Sequence, residues 1–209
     1  MMYGHMSMYG GTQMRKKSHV SLAKYIVRST SDTDLKKHRF SFYLGSILPD
    51  LKPSFLYRRH EITGTFQDVK IAIDQLVNGK KDRPAKNKQR YYLNLGQITH
   101  YVADYFTFPH NRNYPGGFRD HCAYEKKLKR NLRSFLKTKE VGKLHTGKVE
   151  FHTPEALYEF IEKQHENYLQ QKINVEEDIH HIVAVNHRMV EGITDLFHRS
   201  KDRQKLKKS

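Results

Sequence analysis

Residues 100–111 read HYVADYFTFPHN. His100 and Asp104 stand four apart, so on a helix they share one face with about 5–6 Å between their Cβ atoms. Pro109 cannot continue that helix and turns Phe108 toward an extended conformation, so His110 leaves the helix end in a new direction. His121 and Glu125 repeat the four-residue spacing. Upstream, LGSILPDLKP sets Asp50 just past a helix end, between Pro49 and Pro53. His60 sits in YRRHEITGTF ahead of another helix, and His19 falls in the first turn of the first one. Eight imidazole and carboxylate groups are thereby carried on helix ends and faces. Donor sets of nitrogen and oxygen without thiol suit a hydrolytic metal centre better than a structural zinc finger. Zinc takes histidine nitrogen at about 2.0–2.1 Å and carboxylate oxygen at about 2.0–2.2 Å.

The rest of the composition bounds that chemistry. The 209 residues suit one domain, or at most two, with a real core: 37% are hydrophobic, although mean hydropathy is −0.82. An excess of 38 Lys and Arg over 22 Asp and Glu leaves +16. That favours phosphate esters, nucleic acid or an anionic membrane face, although a solvated basic surface accounts for much of it. Fourteen histidines against one cysteine point to imidazole and carboxylate chemistry. Cys122 alone can form no intramolecular disulfide and argues for a reducing compartment. No segment approaches the ~20 apolar residues of a membrane span, and MMYGHMSMYGGTQM lacks the apolar core of a secretion signal. The expectation is a cytoplasmic protein with an added or disordered segment at 1–15, a helical domain over 16–200, and a mobile basic tail at 201–209.

Helical periodicity supplies the elements. Ser18 is placed to cap a helix over about 19–28, and Asp32 or Asp34 a second one that runs up to Pro49. Phe66, Val69, Ile73 and Leu76 mark a third over 64–78, stopped by Gly79. The fourth, about 87–107, carries His100 and Asp104. After the turn YPGG a fifth starts near Phe118. KTKEVGKLHTGKVEFH reads as loop, Thr153-Pro154-Glu155 starts a sixth helix, and a seventh spans about 175–199. With no alternating strand pattern and no internal repeat, the fold class is all-α: a single compact multi-helix domain of about seven helices with a metal centre between them. His38, His145, His152, His165, His180, His181, His187 and His198 read as surface or core histidines outside that centre.

Taken in order, SHVSLAKY, GSILPDLKP, RRHE, HYVADYFTFPH and HCAYE resemble the zinc-dependent phospholipase C family, whose superfamily includes the single-strand-specific zinc nucleases. The family's core motif is a histidine, three residues, an aspartate, five residues and a histidine beside proline. His100, Asp104, Pro109 and His110 match it. The following histidine with a glutamate four later is matched by His121 and Glu125. The resemblance implies two to three zinc ions. One position would use Asp50, His60, His100 and Asp104, and a second His110, His121 and Glu125. A third would use His19 with Asp104 bridging. In the family that third ion is also held by a mature N-terminal tryptophan, and this chain has no tryptophan. Leu51 also stands where the secreted phospholipase has a headgroup-binding tyrosine, so choline specificity does not carry over.

The implied activity is hydrolysis of a phosphodiester such as a phospholipid headgroup linkage by metal-activated water, with Asp50 orienting or deprotonating the water. The implied partners are the phospholipid or other phosphodiester and a transient anionic membrane surface, with no obligate protein partner. The alternatives are a single-strand nuclease acting on nucleic acid and a non-catalytic helical protein stapled by zinc.

Overall fold

The helical spacing carries through. The computed structural model describes residues 9–51, 60–79, 87–144, 149–171 and 174–206, with side chains from Lys16 onward except at 204 and 205. Among them are nine α-helices and two 3₁₀ turns, and no strand. The helices are α1 (Tyr9–Ser29), α2 (Thr33–Lys37), α3 (Arg39–Gly45), α4 (Ile62–Asn78) and α5 (Lys88–Tyr105), then α6 (Phe118–Phe135), α7 (Glu140–Lys143), α8 (Pro154–Gln170) and α9 (Val175–Leu206). The 3₁₀ turns cover Pro49–Leu51 and Phe108–His110.

Several starts follow from local chemistry. The Asp32 carboxylate accepts from the backbone N–H groups of Asp34 and Leu35, so Asp32 is the cap of α2. Asn87 accepts from the Arg90 N–H to open α5, and Thr153 accepts from the Ala156 N–H one residue before Pro154. Each satisfies donors that the first helical turn would otherwise leave unpaired.

Four boundaries differ from the sequence expectation. Ser18 lies inside α1, which begins at Tyr9, and caps nothing. The expected second helix is broken at His38, whose φ of −100° and ψ of 21° leave helical geometry while its ring stacks on Tyr92 at 5.4 Å. Part of the expected loop after α6 forms the single turn α7, anchored by buried Val141. The expected mobile tail is helical as far as Leu206. Lys, Arg, Gln and Leu are good helix formers, and the Lys201 ammonium sits 4.2 Å from the centre of the Phe197 ring one turn earlier. Pro53, Arg58, Arg59 and His145 lie outside the described residues.

One contiguous core joins the helices. α9 packs against α4, α5, α6 and α8, and buries Val183, Met189, Val190, Ile193 and Leu196. α5 packs against α1, α3, α4 and α9. Its closest neighbour is α3, and Gly45 and Gly96 explain why. A Cβ on Gly96 would collide with the Phe42 carbonyl oxygen and stand 2.8 Å from the Ser46 nitrogen. A Cβ on Gly45 would collide with the Leu93 carbonyl. The two helices therefore meet backbone to backbone, where only glycine fits.

Because the obstacle at Gly96 is backbone rather than a flexible side chain, Gly96→Ala is expected to cost about 1–3 kcal/mol of stability. Urea unfolding monitored by circular dichroism measures it, and an unchanged midpoint would show that the crossing is not tight.

Candidate metal centre

Six segments aim side chains at one region. On α5, Gly96, His100 and Asp104 recur every four residues, so the face that meets α3 also carries the first two donors. Asp104 is 3% exposed and His100 fully buried. α1 brings His19 on the stripe it shares with Leu22 and Ile26. The 3₁₀ turn after α3 brings Asp50, and His60 enters two residues before α4 begins. The 3₁₀ turn after α5 carries His110, with Pro109 in its first turn. On α6, His121 and Glu125 lie on the stripe continued by buried Leu128 and Leu132.

The Asp104 carboxylate is the hub. Its Oδ1 is 3.2 Å from His19 Nε2. Its Oδ2 is 2.8 Å from His60 Nδ1, 3.3 Å from His100 Nε2 and 3.9 Å from His110 Nδ1. Glu125 Oε1 lies 2.9 Å from His121 Nε2 and 3.4 Å from His110 Nε2. His19 and His100 stack with ring centres 3.9 Å apart.

Three groups have ligand atoms close enough to share an ion: His19, His100 and Asp104; Asp50, His60 and His100; and His110, His121 and Glu125. All eight sequence-predicted residues are in them. The third group is the one expected from the sequence. The first adds His100 to His19 and Asp104, so that position has three protein donors without an N-terminal tryptophan. Among the described residues, none of His38, His152, His165, His180, His181, His187 and His198 joins a group. His165, for example, is buried against Asn111 Oδ1 at 3.0 Å. Burial pushes its pKa down to about 4, against a hydrogen bond with the Tyr105 backbone, so it stays neutral.

Electrostatics fit a divalent cation. The Nδ1–H of His100 donates to the Ser46 carbonyl at 2.9 Å, which leaves Nε2 as the lone-pair nitrogen. Burial, reinforced by His19, holds His100 below the usual imidazole range, against the pull of Asp104 and Asp50. Its neutral Nε2 therefore faces Asp104 at 3.3 Å and Asp50 Oδ1 at 3.6 Å. Both Asp50 oxygens are buried and accept no hydrogen bond, which for an ionised carboxylate is costly without a cation. No lysine or arginine among the described residues pairs with Asp50 or Asp104. Desolvation would raise Asp104, but His110, His100 and His19 hold its carboxyl well below the usual range. Burial pulls His19 down, yet Asp104, with help from Asp50 and Glu125, raises it overall. A convergence of lone pairs and carboxylates of this kind, free of thiol, fits zinc.

Beside the centre is a narrow recess. Ser18, His19, Asp104, His110 and Glu125 supply its polar wall, and Leu22, Leu128, Leu132 and Ile182 its apolar one.

Sequence reasoning missed Asp178. Fully buried in the first turns of α9, it accepts from the Phe108 N–H at 2.9 Å, the Tyr124 hydroxyl at 2.9 Å and the Tyr168 hydroxyl at 2.8 Å. Phe108 precedes His110 by two residues and Tyr124 precedes Glu125 by one, so this carboxylate ties together the two backbones that carry the His110 group. Burial raises its pKa to about 6, and those three donors oppose the rise. In the sequence it is one of three acids opening a helix, which reads as dipole compensation.

A family model described as zinc dependent phospholipase C matches residues 18–175, more than half of the chain. No curated protein and no solved structure matches it.

Two outcomes are expected from elemental analysis of zinc-loaded protein. Joint replacement His100→Ala/Asp104→Ala removes at least one ion per chain, because His100 or Asp104 belongs to two of the three groups. Asp178→Asn costs about 1–3 kcal/mol of stability by misplacing a donor among three donors and weakens zinc retention in a His100→Ala background. Undiminished zinc in all variants would show that the ions sit elsewhere.

Proposed function

Because the chain belongs to the zinc-dependent phospholipase C family, a family of metal-dependent phospholipase-type hydrolases, we propose that it hydrolyses a phosphodiester at the headgroup linkage of a phospholipid. The observation that carries the reading is Asp50: a buried carboxylate with both oxygens free of hydrogen-bond donors, 3.6 Å from a neutral imidazole nitrogen. Zinc, when bound, supplies positive charge against the phosphoryl oxygens and makes water more acidic.

The chain's own residues do the rest. His19, Asp50, His60, His100, Asp104, His110, His121 and Glu125 hold two to three ions. Asp104, with one oxygen toward His19 and the other toward His60, His100 and His110, would be shared between neighbouring ions. The Ser46 carbonyl holds the His100 tautomer whose Nε2 faces inward. Asp50 orients a water for attack on phosphorus and takes its proton. The phosphorus–oxygen bond to the diacylglycerol-like group then breaks, its oxygen takes up the proton held by Asp50 and leaves as the alcohol, and the headgroup keeps the phosphate. General-base help of this kind is worth about 10²–10⁴-fold in rate.

The net charge of +16 favours the single-strand nuclease alternative. The apolar wall of the recess favours a diester with an apolar part instead, since Leu22, Leu128, Leu132 and Ile182 offer a base neither a hydrogen bond nor a ring.

Zinc-loaded wild type and Asp50→Asn are to be compared on phospholipid micelles, a soluble bis(aryl) phosphodiester and a single-stranded oligonucleotide. Wild type is expected to release phosphorylated headgroup and cleave the soluble diester. Asp50→Asn should be slower by about 10²-fold or more. A cut oligonucleotide beside intact phospholipid would favour the nuclease. If every substrate stays intact while chelation unfolds the protein, zinc is a structural staple.

A further inference from the structure

The outer face of α3 differs from the surface around it. Phe42 is buried in the core, yet Phe40 and Leu44, four residues apart, are 70% and 47% exposed. Leu51, directly after Asp50, is 49% exposed. Leaving large apolar side chains in water forgoes the free energy of burying them.

The apolar residues are interleaved with cations. The Arg39 guanidinium sits 4.7 Å from the centre of the Phe40 ring, and Phe40 meets Tyr43 edge-on at 6.3 Å. Burial pushes the Tyr43 hydroxyl pKa up, while the charges of Arg39 and Arg28 pull it back. From Leu35 to Pro49 there is no acidic residue, but Lys36, Lys37 and Arg39 are present. Among the described residues, Arg28, Lys36 and Arg39 form no ion pair.

We propose that the exposed face of α3 (Arg39, Phe40, Tyr43 and Leu44), with Arg28 in the last turn of α1 and Leu51 beside Asp50, docks the protein on an anionic phospholipid surface. The inference rests on the phospholipid-hydrolase reading and names the surface that delivers the centre to its substrate. Arginines that lie over or beside rings keep their charge at headgroup level while phenylalanine and leucine enter the acyl boundary. Phe40 and Tyr43 carry rings, but Leu44 and Leu51 extend the face with aliphatic surface that suits acyl chains and offers a nucleobase nothing to stack on. No described helix is long and apolar enough to cross a membrane, so the contact is peripheral. The segment that carries the apolar residues then supplies the Ser46 carbonyl and Asp50 to the centre, so docking and catalysis share one short rigid stretch.

The test is co-sedimentation of the full chain with phosphatidylcholine vesicles, with and without about one third phosphatidylserine. Wild type is expected to bind the anionic vesicles and release them at high salt. Arg28→Gln/Arg39→Gln should lower partition about thirtyfold, since each lost cation is worth about fivefold. Phe40→Ser/Leu44→Ser should lower it about tenfold or more. Both variants alter exposed residues, and unchanged circular dichroism and zinc content exclude misfolding. Both should hydrolyse the soluble bis(aryl) phosphodiester at the wild-type rate yet lose rate on vesicles. Absence of wild-type binding, or variants that bind like wild type, would overturn the proposal. So would single-stranded RNA binding that Arg28→Gln/Arg39→Gln abolishes while vesicle binding is unaffected. Should vesicle binding follow the variants while wild type cleaves no phosphodiester, the docking face stands and the hydrolase reading fails.

Discussion

A carboxylate at 3% exposure, surrounded by four imidazoles, is the constraint around which this domain is arranged. Asp104 reaches His19 through one oxygen and His60, His100 and His110 through the other. An isolated buried carboxylate would cost several kcal/mol. The partners that offset this come from α1, from the entry to α4, from α5 itself and from the turn after it. Every one of these elements must be docked before the charge is compensated. The centre is thus a product of the fold, and a cation bound there would stabilise the fold in return, because the unfolded chain does not present these ligands together.

The α3–α5 crossing sets the precision of one side of that centre. Gly45 and Gly96 let the two backbones touch, which carries the Ser46 carbonyl to His100 Nδ1 and the 3₁₀ turn with Asp50 to the other side of the same ring. On the opposite side Asp178 does comparable work from a distance. A single carboxylate gathers donors from α6, α8 and the turn that carries His110, and so links the backbones of His110 and Glu125 to the long helix α9. One device is a steric allowance, the other a fully satisfied buried polar group. Both fix ligand positions through backbone rather than through the flexible side chains themselves.

Charge is divided unevenly across the molecule. The chain carries +16, but Asp50, Asp104 and Glu125 are gathered with five imidazoles in one largely buried place. An anionic diester would be drawn to the surface by the excess of lysine and arginine and would find its local attraction only where cations sit among those donors. The exposed apolar residues of α3 add a contact that charge alone does not offer.

The candidate ligands were legible from sequence because ligation needs particular residue types at helical spacing. His100 with Asp104 and His121 with Glu125 advertise one face each, and Pro109 advertises the turn that re-aims His110. The all-α class was legible for the same reason: apolar residues at three- and four-residue intervals specify which side of a helix is buried. Helix boundaries were less so. Ser18 has the chemistry of a cap, but it lies inside a helix that starts at Tyr9, and His38 breaks a helix that local propensity would have continued, its ring stacking on Tyr92, 54 positions further along the chain. What only the tertiary structure decided is which candidate donors lie close enough to share an ion, that His100 stands in two such groups, and that Asp178 ties the His110 group together. Those facts depend on distances between elements, and such distances are set by how closely helix backbones approach, a property of pairs of faces that no single stretch of sequence contains.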